Sequence, residues 1–74
     1  MSFMGNMIGN KALAAHGKNE YEKALQLYNE AYEKGMDKPR LLRGYSVLLI
    51  RMGRLDRALE VLKKIEALPG LTPA

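Results

Sequence analysis

The chain contains no cysteine, and none of its apolar runs approaches the roughly 20 residues needed to cross a bilayer. Without thiols, neither a disulfide framework nor a thiolate metal site can support the fold. The single histidine, His16, has no partner at a spacing typical of catalysis or metal binding. We therefore expect no catalytic residues, no cofactor and no metal site.

No targeting signal is evident at the start of the chain. The first ten residues are rich in methionine and glycine but have no basic residue ahead of an apolar core, so they make a poor signal peptide. We expect a cytoplasmic location, with the alternative that a longer parent protein is tethered to a membrane outside this segment.

The 74 residues suffice for one small domain, and its charge is unevenly placed. Residues 1–36 hold four lysines and four glutamates, whereas residues 37–74 hold eight lysines or arginines and four acids. The second half therefore carries the whole net charge of +4. Such an excess favours encounters with acidic partners, although it is also compatible with a merely well-hydrated surface.

The most informative feature is an internal repeat of 34 residues. Small or apolar residues at five positions are followed by similar residues 34 places later, and Pro39 is followed in the same way by Pro73. The five pairs are Tyr21 and Leu55, Ala24 and Ala58, Leu25 and Leu59, Tyr28 and Leu62, and Ala31 and Ile65. A repeat of this length is typical of helical hairpins that stack their apolar faces on one another. We therefore predict an all-α solenoid that presents a surface.

Apolar spacing and helix-breaking residues predict four helices, over about 6–15, 20–34, 39–52 and 55–67. They form two helix-turn-helix hairpins, a first repeat over 6–38 and a second over 39–72. Gly5 and Gly9 should weaken the first helix, because a glycine inside a helix costs about 1 kcal/mol relative to alanine. Thr72 and Pro73 are typical of an N-cap and a first helical turn, so we expect 73–74 to begin a truncated third repeat.

Two alanines set the expected distance between the helices of each hairpin. Ala24 and Ala58 occupy equal positions in the second helices, where a larger side chain would hold the first helix away. We expect both to be buried. The larger side chains that should fill the space around them are Tyr21, Tyr28, Leu55 and Leu62.

The second helices open with the similar sequences EYEKAL at 20–25 and RLDRAL at 54–59. With the 34-residue hairpin repeat, they resemble the tetratricopeptide repeat family from about residue 8 to residue 73. The resemblance implies a right-handed stack without catalytic activity, whose concave surface, made by the first helices, binds segments of partner proteins. There are two departures: Lys11 precedes Ala12 where the family usually has a large apolar residue, and Asn19 stands where the second copy has Gly53.

The resemblance also implies where a partner would bind. The candidate partner-binding residues on the first helices are Leu13, His16, Arg40, Arg43, Val47, Ile50 and Arg51, with Asn6 and Gly9 at the start of the first helix. Arginines there can hold carboxylates of an acidic or C-terminal segment, while apolar residues take an apolar side chain. The alternative is a hydrated basic face over a partly exposed apolar stripe. The Lys/Asn/Arg carboxylate clamp of some family members is not predicted, because Gly9, Leu13 and Gly44 occupy the matching places.

Two other kinds of partner remain open. One is nucleic acid, bound by the arginines of the second half, which are Arg40, Arg43, Arg51, Arg54 and Arg57. Their position on more than one helix face argues against a continuous phosphate track. The other is a second copy of the chain. It would bind the outer side of the fourth helix, which we expect to expose Val61, Leu62, Ile65 and Leu68.

Overall fold

The computed structural model describes residues 3–68, which fold into four helices joined by short turns. The helices are α1 (Phe3–Gly17), α2 (Tyr21–Glu33), α3 (Pro39–Arg51) and α4 (Leu55–Glu66). The all-α fold class is confirmed, and this part of the chain contains no strand. The expected third repeat at 73–74, with Pro73, lies outside the described residues.

The two turns that close the hairpins have the same backbone conformation, although their sequences differ. Asn19 has a φ of 64° and Gly53 a φ of 77°, both in the left-handed region. After them, the N–H groups of Glu20 and Arg54 bond to the carbonyl five residues earlier, at 3.0 Å and 2.8 Å, as in a Schellman motif. Asparagine adopts this conformation more readily than most residues. The departure at Asn19 therefore changes the residue type but not the backbone conformation of the turn.

Packing within the hairpins follows the prediction for the alanines but only in part for their larger neighbours. Ala24 is fully buried and Ala58 is 2% exposed. Tyr28 is fully buried too, whereas Leu55 is 58% exposed and Leu62 is 37% exposed. The expectation that these two leucines fill the core is wrong. Tyr28 lies beneath α3, but no helix of the described residues covers the corresponding face of α4.

The first helix begins at Phe3, earlier than predicted, and its glycines have a packing role. A Cβ atom on Gly5 would lie 2.8 Å from the Lys34 carbonyl oxygen and 2.9 Å from the Ala31 carbonyl oxygen. A Cβ atom on Gly9 would lie 2.6 Å from the Met36 sulfur. Gly5 thus allows α1 to approach the end of α2 closely, and Gly9 leaves room for Met36 in the turn that follows, so both are more than weak points in a helix.

The two hairpins join because α3 lies against both α1 and α2, and α4 in turn lies against α3. Tyr45 of α3 stacks on Tyr28 of α2 with ring centroids 5.3 Å apart. Gly44 permits this approach, since a Cβ atom there would lie 2.6 Å from the Tyr28 hydroxyl oxygen. Each element thus contacts its neighbours along the chain, as in a helical repeat. The right-handed sense of the stack stays a prediction.

Candidate partner-binding surface

One side of α3 presents a row of basic and apolar side chains. Arg40, Arg43, Val47 and Ile50 follow one another at spacings of three or four residues, so they share a helix face. All four are exposed, and the two apolar residues strongly so, at 53% for Val47 and 51% for Ile50. An exposed apolar pair next to two guanidinium groups can contact both apolar and negatively charged groups.

The first hairpin contributes Leu13 and His16, which stand 34 places before Val47 and Ile50. Both are half-buried. Leu13 lies close to α3, because a Cβ atom on Gly44 would be 3.1 Å from Leu13 Cδ1. The structure therefore places Leu13 at the junction of α1 and α3, where it packs against the core instead of projecting freely.

His16 and Arg51, near the ends of α1 and α3, both lie next to the ring of Tyr21. The His16 ring meets the Tyr21 ring edge-on, with centroids 6.0 Å apart, and the Arg51 guanidinium lies 4.4 Å from the centre of the same ring. The Tyr21 hydroxyl donates to Asn19 Oδ1 at 2.8 Å. This contact between a cation and an aromatic face orients Arg51 next to the first hairpin.

His16 is more than a surface residue at the end of a helix. Its Nδ1 lies 3.1 Å from the Tyr28 hydroxyl, and which of the two groups donates depends on the imidazole tautomer. Burial raises the pKa of Tyr28 to about 12, so its hydroxyl stays protonated at neutral pH. This pairing could not be predicted from the sequence, because His16 and Tyr28 belong to different helices.

Asn6 and Gly9, the other two candidates on α1, do not belong to the exposed surface. Asn6 is 8% exposed, and its Oδ1 accepts the N–H groups of Asp37 at 3.0 Å and Lys38 at 3.3 Å. Its Nδ2 also donates to Asp37 Oδ1 at 3.0 Å. Asn6 thus holds the turn between α2 and α3, and Gly9 is covered by the side chain of Met36. The expectation that Asn6 and Gly9 line a groove is wrong.

A polar network ties α4 to the rest of the molecule. Tyr32 of α2 donates to Glu60 Oε2 at 2.8 Å, and Arg57 lies 5.1 Å from the centre of the Tyr32 ring. Arg57 also donates to the Tyr45 hydroxyl at 3.3 Å, and that hydroxyl donates to Asn29 Oδ1. The Arg57 guanidinium therefore contacts groups of the protein itself, the ring of Tyr32 and the hydroxyl of Tyr45.

Two tyrosines of this network are harder to ionise than free tyrosine. Burial, and secondly the hydrogen bond to Glu60, raise the pKa of Tyr32 to about 12. Burial also raises the pKa of Tyr45, although the nearby charge of Arg57 acts in the opposite direction. Both hydroxyls therefore remain neutral hydrogen-bonding groups at physiological pH.

The outer face of α4 is apolar and exposed, and Leu62 is the only one of the four residues expected there that is exposed. Leu55 and Leu59 are each 58% exposed, and Leu62 is 37% exposed. Val61 is fully buried, and Ile65 and Leu68 are half-buried against the core, so the predicted exposure of these three residues is wrong. Because α4 packs against α3 through Ala58 and Val61, the side chains on the remaining faces turn outward.

A further depression lies between α2 and the start of α4. This open cleft has a volume of about 570 Å³, and Leu25 and Leu49 lie at its walls. Its charged walls carry both signs, with Glu33 and Asp56 as well as Arg54. Because the cleft carries both positive and negative side chains, it does not favour ligands of either charge.

Residues 3–68 contain no group of three or more His, Asp or Glu side chains placed to hold a metal ion. None of the four helices is long and apolar enough to cross a membrane.

A family model described as tetratricopeptide repeat matches residues 13–68, which is most of the chain. The chain belongs to the tetratricopeptide repeat family. No curated protein and no solved structure gives a significant match. Tetratricopeptide repeats generally mediate contacts between proteins and are typically non-catalytic scaffolds. The matched region includes every residue from Leu13 to Arg51 named above as a partner-binding candidate.

Proposed function

We propose that this tetratricopeptide repeat chain is a docking scaffold that binds a segment of a partner protein on the face shared by α1 and α3. The observation that carries the proposal is the exposed pair Val47 and Ile50 beside Arg40 and Arg43. Apolar side chains that remain exposed between charged groups are typical of interaction sites. The absence of catalysis and the cytoplasmic location expected from the sequence are parts of this proposal.

The partner that fits this face best is an acidic segment with an apolar residue between its carboxylates. Arg40 and Arg43 provide guanidinium groups near the start of α3, and Arg51 provides another at its end. Val47 and Ile50 lie between them. Carboxylates of the partner would pair with the arginines, and its apolar side chain would cover the two aliphatic residues.

The proposal predicts that Arg40→Glu combined with Arg43→Glu abolishes binding of such a segment. The probe is a fluorescently labelled peptide with glutamates on both sides of a leucine, titrated in an anisotropy assay. Hydrogen bonds to charged groups contribute about 1.5–3 kcal/mol each, so losing both should weaken binding by about a hundredfold or more.

The matched control is Lys18→Glu combined with Lys23→Glu. It makes the same change in net charge at exposed positions outside the proposed face. The control should bind nearly as well as the wild type. An unchanged affinity in the Arg40 and Arg43 variant, or an equal loss in the control, would contradict a local site.

Nucleic acid is the alternative ligand for the arginines, and the structure offers it less support. Arg51 lies over the ring of Tyr21, and Arg57 contacts Tyr32 and Tyr45. Arg57 lies on another helix and its guanidinium has intramolecular partners, so it does not continue the surface formed by Arg40 and Arg43. A titration with duplex and single-stranded DNA across a salt series tests the alternative, because phosphate binding weakens steeply with salt.

A further inference from the structure

The exposed face of α4 is the repeat copy of a face that is covered on α2. Leu55 and Leu62 of α4 stand 34 places after Tyr21 and Tyr28 of α2. Tyr28 is fully buried because α3 lies on it, but Leu62 is 37% exposed and Leu55 is 58% exposed. The packing of α3 on α2 therefore shows how a helix can cover a face of this kind.

The complementary face is exposed on α1. Lys11 and Ala14 stand 34 places before Tyr45 and Leu48. Tyr45 and Leu48 are fully buried in the junction between the hairpins, while Lys11 and Ala14 are exposed. The side of α1 that corresponds to the buried side of α3 is thus uncovered in the described structure.

We propose that a second copy of the chain places this face of α1 on α4, in the register that α3 has on α2. Copies would then join head to tail. Within one chain, the ring of Tyr45 lies 5.3 Å from Tyr28 and 5.4 Å from Tyr32. By the 34-residue correspondence, Lys11 of one copy falls beside Leu62 and Glu66 of the other, and also near Lys63, because Tyr45 bonds to Asn29.

One ion pair and small side chains favour this occupant. Residues 3–17 contain no acidic side chain, so Lys11 has no acidic neighbour on α1 and can pair with Glu66 of the other copy, where Lys63 partly offsets the attraction. The aliphatic part of Lys11 can cover Leu62 while its ammonium group reaches the carboxylate. Ala14 is small and Gly17 has no side chain, so at these two positions α1 leaves room for a close approach of α4.

The interface joins different faces of two identical chains, and this determines the form of the assembly. Such a heterologous contact leaves one face free at each end, so association continues into longer chains unless the geometry closes a ring. A symmetric dimer that pairs two α4 faces would instead stop at two copies. The two arrangements respond differently to substitutions on α1, which the experiment uses.

The test compares single-face variants of the full chain by sedimentation velocity over a wide concentration range. Leu62→Arg disrupts binding by the α4 face, because it places an arginine opposite Lys11 of the other copy. Ala14→Arg disrupts binding by the α1 face, because a long charged side chain replaces a methyl group at the interface. Gln26→Arg, at an exposed position on α2, is the control for added charge. Circular dichroism confirms that each variant folds, and Leu55→Arg replaces Leu62→Arg if that variant does not.

The wild type and Gln26→Arg should grow in average mass with concentration and show no plateau at two copies. Each single-face variant should stay monomeric alone. An equal mixture of Leu62→Arg and Ala14→Arg should form a dimer, because one intact face of each kind is then available. A wild type that stays monomeric, an Ala14→Arg variant that still associates, or a mixture that stays monomeric would each overturn the proposal.

Discussion

At several positions of this chain, the residue type matches the available space and the required backbone angle as much as it matches helix propensity. Gly5 and Gly9 are poor helix formers, yet both are buried, Gly5 against the end of α2 and Gly9 against Met36 in the turn before α3. Asn19 takes the left-handed conformation that glycine takes in the second hairpin. Propensity alone assigns these residues to weak or irregular structure, whereas in the folded chain they permit close packing and a tight turn.

Replacing Gly5 with alanine should therefore destabilise the protein, although alanine is the better helix former. The new Cβ atom would meet the backbone oxygens of Ala31 and Lys34, which cannot move as the end of a side chain can. Overpacking of this kind costs about 1–3 kcal/mol, and in a domain of this size 1 kcal/mol lowers Tm by about 4–8 °C. Thermal unfolding followed by circular dichroism measures the change.

Gly17→Ala is the matched control for helix propensity. A Cβ atom there would meet nothing within 4 Å, so this variant should be as stable as the wild type or more stable, by up to about 1 kcal/mol. A Gly5→Ala variant that unfolds at or above the wild-type Tm would show that α1 does not pack as closely as described.

At the scale of the helix, equal positions in the repeat have equal burial only where both hairpins provide the same neighbours. Ala24 and Ala58 are both buried, because each faces the first helix of its own hairpin. Leu25 is 8% exposed while Leu59 is 58% exposed, because α3 covers α2 and nothing in the described residues covers α4. Contacts within a hairpin therefore repeat, and contacts between hairpins do not.

Ala24→Leu and Ala58→Leu should each lower stability by about 1–3 kcal/mol, because the added atoms would force the two helices of the hairpin apart. Urea unfolding of dilute protein measures the difference. Ala14→Leu adds the same atoms at an exposed position of α1 and should change stability by less than about 0.5 kcal/mol. Equal stability of the wild type, Ala24→Leu and Ala58→Leu would contradict the packing register.

At the scale of the whole molecule, tyrosines hold the hairpins together. Tyr45 of α3 lies against Tyr28 and Tyr32 of α2, and Tyr32 in turn bonds to Glu60 of α4. Three helices thus meet around one aromatic cluster whose hydroxyls are all protonated at neutral pH. The joint between the hairpins should therefore respond to the ionisation of these groups.

We expect stability to fall in alkaline solution, between about pH 10 and about pH 12. The pKa of Tyr28 and that of Tyr32 are raised to about 12, against the ordinary value of 10.0. Above about pH 10 the unfolded chain loses these protons while the folded chain retains them, so the folded state binds more protons and unfolding becomes easier as pH rises. The stabilisation is complete below about pH 10 and is lost as pH passes the folded pKa.

Urea unfolding at a series of alkaline pH values measures this dependence. Tyr28→Phe removes one of the two groups, so its stability should fall less steeply with pH, whatever its stability at neutral pH. A wild-type profile that stays flat up to about pH 12, or equal slopes for the two proteins, would show that these tyrosines are not shielded from water.

For the candidate site, the exposure of residues could be predicted from the sequence, but contacts between residues of different elements could not. The exposure of Arg40, Arg43, Val47 and Ile50 follows from their spacing, since a helix with one apolar face against the core must turn the other outward. Their role in binding stays a proposal. The contacts of Asn6 with the turn before α3 and of His16 with Tyr28 were not predictable, because they join residues of different elements.

The sequence by itself determined the four helices, their turns and the family, because helical spacing, breaking residues and a 34-residue repeat all act through neighbours in the chain. Only the tertiary structure decided which apolar residues are covered. Tyr28 and Leu62 occupy the same place in the repeat, yet one is buried and the other is exposed. The physical reason is that burial depends on what lies across the helix face, and the repeat unit does not specify that for its own outer side.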